Sequence, residues 1–372
     1  MLVICGALFT ACLKEQAVNP LVQILASDHP AIVKVMDSVG QFEVQIRYTQ
    51  INRTNDGIQF KDFDFQVDKS NYFYPASTVK FPAAVAALEK LNEIDSLTMD
   101  SRFYIEGDSV ETTFAKAISE IFAVSDNAAN NRLLEFLGQD KLNTRMLDKG
   151  VGPIRIAHRL STSDADNVTT KPLIIYLNDS TTVSSTPIIN TTPSELQLDK
   201  IKKGNAFYAY ESLQEEPFDF SLKNYYPIEA QHALLKRIIF PYAFPQEQQF
   251  NLSDVQRKFL LEAMHKLPKH LGYDTQVYYD SYVKFFMFGD SSEPMPEHIK
   301  IYNKVGYAYG TLTDCAYIKD EKNNLDFMVT ATILVNKDGI FNDNVYEYDE
   351  IGIPFLAQLG RELYQYELNR KP

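Results

Sequence analysis

The stretch STVKFPAAVAALEKLNEI, residues 77–94, is rich in alanine and leucine and reads as a buried helix whose first turn holds Ser77 to Lys80. Pro82 fits such a helix only near its start. A spacing of three puts Ser77 and Lys80 on one helical face, one turn apart and within hydrogen-bonding reach. A serine hydroxyl is a poor nucleophile until a neighbour takes its proton, and a lysine can do so once burial or other cations lower its pKa. A helix start also offers free backbone N–H groups to a developing oxyanion. Taken alone, the pair fits a capping serine and a solvated lysine better, so the rest of the chain decides.

Working outward, residues 30–40 (PAIVKVMDSVG) carry apolar positions at helical spacing, after which the period changes to two. The stretches 41–51 (QFEVQIRYTQI) and 60–67 (FKDFDFQV) alternate around the turn signal Asn55-Asp56-Gly57 and form a hairpin with a half-buried face. Residues 111–137 give two helical patterns joined by Ser125-Asp126-Asn127. From about 160 to 226 the pattern dissolves into Ser, Thr, Asn and Asp clusters that read as long surface loops. Helical periodicity returns at Ile228 to Ile239 and Leu252 to Leu267, with Asn251 or Ser253 as the second cap. Alternation resumes in IKIYNKV, GTLTDCAYI and DFMVTATILVN, and an apolar-periodic stretch from Ile353 to Tyr366 follows. Strands at both ends with helices between them imply an α+β fold. Its antiparallel sheet is built from the N- and C-terminal segments and flanked by helices, with an all-helical subdomain inserted. The expected division is an α/β part at 30–100 and 290–372, and a helical subdomain at 101–289 with a loop-rich insertion at about 160–226.

Ser77 and Lys80 are followed by Ser125-Asp126-Asn127, set where two helices break and side chains can enter a cleft, and by Lys304-Val305-Gly306 on an expected strand. The second element continues as SDNAANNRLL with Asn131, and the third into Tyr309-Gly310-Thr311 and Asp314. In this order the elements resemble the class A β-lactamase family within the β-lactamase and penicillin-binding protein superfamily. The likeness covers about 30–160 and 227–370. It implies that Ser77 is the acylated nucleophile, Lys80 its proton partner and Ser125 the relay to the leaving nitrogen. It further implies that Asn127 binds the substrate's side-chain amide and that Lys304 attracts a substrate carboxylate. It also implies that Gly306 and Tyr307 are substrate-binding, with the backbone N–H groups of Ser77 and Tyr307 as the oxyanion hole.

Two departures bear on the reaction. Val305 stands where the family has a hydroxyl that holds the substrate carboxylate, and a methyl group cannot donate that bond. The family's Glu-x-x-Leu-Asn stretch, whose Glu activates the deacylating water, is absent. Counting from Arg159-Leu160 places Asp164 near its position, either as a shorter-reaching base or as a solvated loop carboxylate.

The chain has 372 residues, with 36 Lys and Arg against 49 Asp and Glu, a net charge of −13. That charge repels phosphate backbones, and nucleic acid is not an expected partner. Residues 1–12 (MLVICGALFTAC) carry no charge, and Phe9-Thr10-Ala11-Cys12 resembles a bacterial lipobox, so Cys12 is the expected lipidation site of an exported, periplasmic, membrane-anchored protein, with a plain cleaved signal or apolar leader as the alternative. Beyond Cys5 and Cys12 only Cys315 remains, which leaves no intramolecular disulfide and reads as a small core residue. The six histidines, His158 and His232 among them, show no HExxH or i, i+4 pairing and read as surface or satisfied core residues. No metal or other cofactor is expected. The function expected first is amide hydrolysis through an acyl-serine, with a β-lactam antibiotic as substrate. The alternatives are a D-alanyl-D-alanine carboxypeptidase acting on a peptidoglycan stem peptide, and a non-catalytic, acylatable sensor domain.

Overall fold

The computed structural model describes residues 19–55 and 57–370, so the apolar leader with Cys5 and Cys12 lies outside them. Strands β1 (Gln45–Thr54), β2 (Gly57–Phe65), β3 (Ile299–Ala308), β4 (Thr311–Asp320) and β5 (Leu325–Leu334) form an antiparallel sheet in the order β3-β4-β5-β1-β2. The two ends of the chain meet where Tyr48 of β1 faces Val329 of β5. β4 and β5 are buried on both faces along nearly their whole length, whereas β2 is the exposed edge. The sheet begins later than the alternation from Gln41 suggests. Val39–Phe42 is one turn of helix, and Glu43 at φ 45° breaks the extended run before Gln45.

Among the described residues, helices α1 (Lys80–Leu91), α2 (Phe114–Val124), α3 (Asn127–Leu137), α4 (Ile228–Ile239), α5 (Asp254–His265) and α6 (Ile353–Arg370) complete the frame. α6 covers one face of the sheet with the short helices Pro20–Leu25 and Pro30–Met36, burying Ile46, Val329, Phe355 and Leu359. The other face meets α4 and α5, and its core runs on through α1, α2 and α3 by way of Leu88, Ile121, Leu133 and Leu234. α1 is buried almost all round. Its alanines at 83, 84, 86 and 87 add little bulk, which lets α2, α3 and the helix Gln139–Asp148 approach from several sides.

The segment read as surface loops instead carries six short strands. Leu173–Asn178 and Thr181–Ser184 join Arg102–Ile105 and Thr112–Thr113 in a four-stranded sheet, so the helical part of the chain also holds β-structure. Lys202–Lys203 pairs with Phe218–Asp219, and Ala206–Ala209 sits between Ser212–Gln214 and Ile340–Phe341. Strands of two to six residues are too short to show a period, and several of their partners lie far away in sequence.

The loop after Arg159 is fixed by one buried ion pair. Arg159 Nε and Nη2 donate to the Glu135 carboxylate at 2.6 and 2.9 Å, and both side chains are almost completely buried. The guanidinium also donates to Asn167 O at 2.5 Å and Thr169 O at 2.9 Å, while Glu135 accepts from Lys171 N at 2.8 Å. Removing one partner of such a pair leaves a buried charge unpaired, so Glu135→Ala should cost about 3–5 kcal/mol of stability. Urea unfolding checks this, and a loss below about 1 kcal/mol, the size of a surface ion pair, would contradict it.

Candidate active site

Ser77 lies in a 3₁₀ turn, Ala76–Val79, that leads into α1. Thr78 locks the turn, its N–H and Oγ1 donating to Pro75 O at 3.1 and 2.7 Å. β3 runs directly against it. A methyl group on Gly306 would stand 2.8 Å from both Pro75 O and Ser77 N and 2.9 Å from Thr78 N, so a residue without a side chain is what allows this approach. Ser77 is half-buried and opens onto a cavity of about 520 Å³ that Tyr307, Ala308 and Tyr309 of β3 and its turn also line.

Ser125 follows α2 at φ 57°, a left-handed value that is uncommon for a residue with a side chain. Asp126 supplies the cap of α3 by accepting from Ala129 N at 2.6 Å. Capping therefore makes no demand on Ser125 or Asn127, which turn to the lysines. Lys80 Nζ donates to the carbonyl oxygen of Ser125 and to Asn127 Oδ1 at 2.6 Å, and lies 3.2 Å from Ser125 Oγ. Lys304 Nζ donates to the same Ser125 Oγ at 2.8 Å and to Val305 O at 2.8 Å. The direct Ser77–Lys80 bond expected from the spacing is not formed, because the acceptors at 125 and 127 draw the amine away.

Both lysines are fully enclosed. Burial pulls Lys80 down to about 7, against the opposing charge of Asp126. Lys304 is held well below the usual lysine range, first by burial and then by the Lys80 charge. Behind β3 a further buried group forms, in which Asn303 donates to Asp314 at 2.8 Å and accepts from Lys284 at 2.6 Å. Burial raises Asp314 to about 6 and lowers Lys284 to about 7.

Several site residues lie elsewhere than the sequence suggests. Lys304 is committed to Ser125 and Val305 and is not exposed in the cavity wall. Val305 packs among the apolar residues of the sheet, so the hydroxyl missing at this position would not face the cavity. Asp164 accepts from Thr162 Oγ1 at 2.6 Å and pairs with Lys171 Nζ at 2.7 Å in a neighbouring cavity that does not include Ser77. Those two donors hold its carboxyl at about 2. A carboxylate so placed and so weakly basic does not meet the expectation of a base beside Ser77. Among the described residues no carboxylate lines the Ser77 cavity. The loop presents Leu160, Ser161 and Thr162 instead, with Asn131 bracketing Leu160 by bonds to its N–H (2.9 Å) and C=O (2.8 Å). Ser161 Oγ accepts from Asn127 Nδ2 at 2.9 Å. Cys315 is a core residue whose thiol burial pushes up, and His232 is satisfied by Thr49 and Thr330. His158 and Lys223 both line the cavity, and neither carries a motif that sequence reading could use.

Because Gly306 sets how closely β3 approaches the turn, Gly306→Ala should displace Ser77 and slow its acylation by on the order of 100-fold. The rate of mass gain on reaction with a penicillin checks this, and an unchanged rate would show that the close approach does not position the serine.

The chain was compared with known families and structures. The family described as "Beta-lactamase enzyme family" matches residues 30–233, more than half of the chain. A search of curated proteins returns no match. Among solved structures, the β-lactamase of Sphaerobacter thermophilus DSM 20745 is 14% identical, with 94% of this chain and 98% of that one covered and a TM-score of 0.52. A protein titled PBP-A is 15% identical over 94% and 96% of the two chains, TM-score 0.52, and a β-lactamase of Burkholderia ambifaria is 14% identical over 91% and 99%, TM-score 0.51. At these identities the structures establish the shared fold, and with the family match they show that the chain belongs to the β-lactamase enzyme family and has its α+β fold.

Proposed function

We propose that the protein is a serine hydrolase of the penicillin-binding type, which acylates itself on Ser77 from a D-alanyl peptide amide and traps β-lactams in the same way. One observation carries this. Ser125 Oγ sits between the Nζ atoms of two buried lysines, at 3.2 and 2.8 Å, beside a cavity that holds Ser77 and, among the described residues, no carboxylate.

The two N–H groups of a neutral Lys80 are taken by Ser125 O and Asn127 Oδ1, which leaves its lone pair for a proton. Ser77 Oγ attacks the amide carbon and its proton passes to Lys80 Nζ. The carbonyl oxygen becomes an oxyanion beside the N–H groups of Ser77 and Tyr307. As the C–N bond breaks, the Ser125 hydroxyl donates its proton to the leaving nitrogen and recovers one from Lys80, while Lys304 stabilises the charge that develops on Ser125 in between. The product is an ester of Ser77 and a free amine. A β-lactamase is the second possibility, favoured by the family match, and would need Lys80 to activate the deacylating water as well. Export and lipid attachment at Cys12 belong to the same proposal, supported by the uncharged leader.

Incubation with a penicillin, following protein mass and free drug together, separates the readings. A long-lived adduct that Ser77→Ala abolishes is expected, with drug consumed in proportion to protein. Sustained turnover would make the protein a β-lactamase, and no adduct would overturn both.

The base also sets a pH dependence. Burial lowers Lys80 to about 7, so its neutral, proton-accepting form predominates above that pH and disappears below it. Acylation should therefore rise with pH through neutrality and level off, falling by about tenfold for each unit on the acid side. Mass-detected acylation rates across this range check the sign, and a rate that increases on acidification would exclude Lys80 as the base.

A further inference from the structure

A second cavity, of about 220 Å³, adjoins the Ser77 cavity, and Tyr307 and Tyr348 line both. Its other main walls are Tyr279, Tyr282 and Phe285, from the segment before β3, and Asp349, from the π-helical turn Tyr348–Gly352 that leads into α6. The segment is pinned where Asp280 accepts from Lys269 Nζ at 2.7 Å and Met295 N at 3.0 Å, and where Phe285 N donates to Asp314 at 3.1 Å. Tyr348 is held through its hydroxyl, which accepts from Gly310 N at 2.9 Å. Its ring meets that of Tyr307 edge to face at 5.4 Å between centroids, and Tyr279 meets Tyr282 in the same manner at 6.0 Å.

These groups are open to a ligand. Tyr307 is 51% exposed, Asp349 is exposed, and Tyr279, Tyr282 and Tyr348 are half-buried. A tyrosine offers a cation either the negative face of its ring or the lone pairs of its hydroxyl oxygen. A carboxylate stands with them. Asp349 makes no hydrogen bond or ion pair with a described residue. Burial, and after it the charge of Asp349, raise the Tyr279 hydroxyl, so the carboxylate is near that ring. Among the described residues no Lys, Arg or His lines this cavity, and nothing there balances the charge. The carboxylate repels an anion, and a neutral apolar group would strip water from it and return no bond. A cation satisfies both the rings and the carboxylate.

We infer that this cavity is a subsite for a primary ammonium group on the leaving side of the substrate. The ammonium would lie among Tyr279, Tyr282, Tyr307 and Tyr348 and pair with Asp349. Asn127, which on the proposed function takes the amide of the acyl arm, lines the Ser77 cavity and not this one. The part of the substrate that turns away from Asn127 is the leaving amine, whose side chain would cross Tyr307 into the second cavity. Lys304 is enclosed with Ser125 and does not line this space, so it does not occupy the place of the incoming cation.

The inference rests on acylation at Ser77, and competition against a penicillin tests the two separately. Two peptides capped as amides, one ending in D-alanyl-D-lysine and the other in D-alanyl-D-norleucine, differ by the ammonium group and would leave the same acyl group on Ser77. The lysyl peptide should halve the rate of penicillin adduct formation at a concentration lower by on the order of tenfold. In Asp349→Asn and in Tyr282→Leu the ratio of the two concentrations should fall towards one, and in Asp349→Glu it should persist. Tyr282→Leu removes no charge, so its effect separates a built subsite from the general attraction of an acidic protein for a cation. Equal protection by the two peptides, protection by neither, or a ratio that either Asp349→Asn or Tyr282→Leu leaves unmoved would overturn the subsite while the Ser77 adduct still formed. Absence of a penicillin adduct would overturn the acyl-serine reading itself.

Discussion

Two lysine side chains are enclosed around one serine hydroxyl, and the site depends on that constraint. An ammonium group loses most of its solvation on burial, and a second one nearby adds repulsion that a low-dielectric interior screens poorly. Lys80 and Lys304 share Ser125 Oγ under these conditions, with the charge of Asp126 as the nearest opposition for Lys80 and that of Asp314 for Lys304. Holding both protons is therefore unfavourable, and a neutral amine beside a hydroxyl follows without any nearby imidazole or carboxylate base. Backbone geometry maintains the arrangement. Ser125 stands in a left-handed conformation that Asp126 supports by taking over the cap of α3, and Gly306 lets β3 close on the turn that carries Ser77.

The wall opposite the lysines is irregular chain, and its rigidity has a different origin. A loop this close to the core cannot leave its N–H and C=O groups unpaired, and no neighbouring strand is available to take most of them. Asparagine side chains substitute for one. Asn143 both accepts from and donates to Ile156, Asn131 does the same for Leu160, and Asn224 takes the N–H groups of 157 and 158. The amides of Asn143 and Asn131 each mimic an edge of the peptide group, pairing with both the N–H and the C=O of one residue. Arg155 and Arg159 gather the carbonyls that remain.

Ser77, Lys80, the serine at the helix break and the lysine on the strand were legible because each is tied to a regular element whose period shows in the sequence. Helix α4 at Ile228–Ile239 and the Ser253 cap of α5 were legible for the same reason. The loop region was not. Its strands are too short to alternate visibly, and the direction of a side chain there depends on contacts with distant residues. Asp164 is the clearest case, since the sequence left it either a base or a solvated loop carboxylate, and only the structure shows Lys171 and Thr162 holding it in another cavity. His158 and Lys223 carry no spacing signal, because 65 residues of chain separate them and only the bonds of Asn224 and Arg155 bring them to one wall.

A site in which one lysine serves both halves of the reaction would distinguish its substrates by what happens to the leaving group. After a peptide amide is cleaved, the amine is a separate molecule and can diffuse out, so water can reach the ester and Lys80 can accept its proton. When a β-lactam ring opens, the nitrogen stays covalently tied to the acyl group and remains near Ser125, where it obstructs the approach of water. A carboxylate on the opposite wall would avoid that obstruction by activating water from the other side. Here that wall offers Leu160 and Ser161, and Asp164 is turned into a neighbouring cavity. On the proposed function, the same lysine pair that would make Ser77 reactive would leave a β-lactam adduct without an efficient means of release.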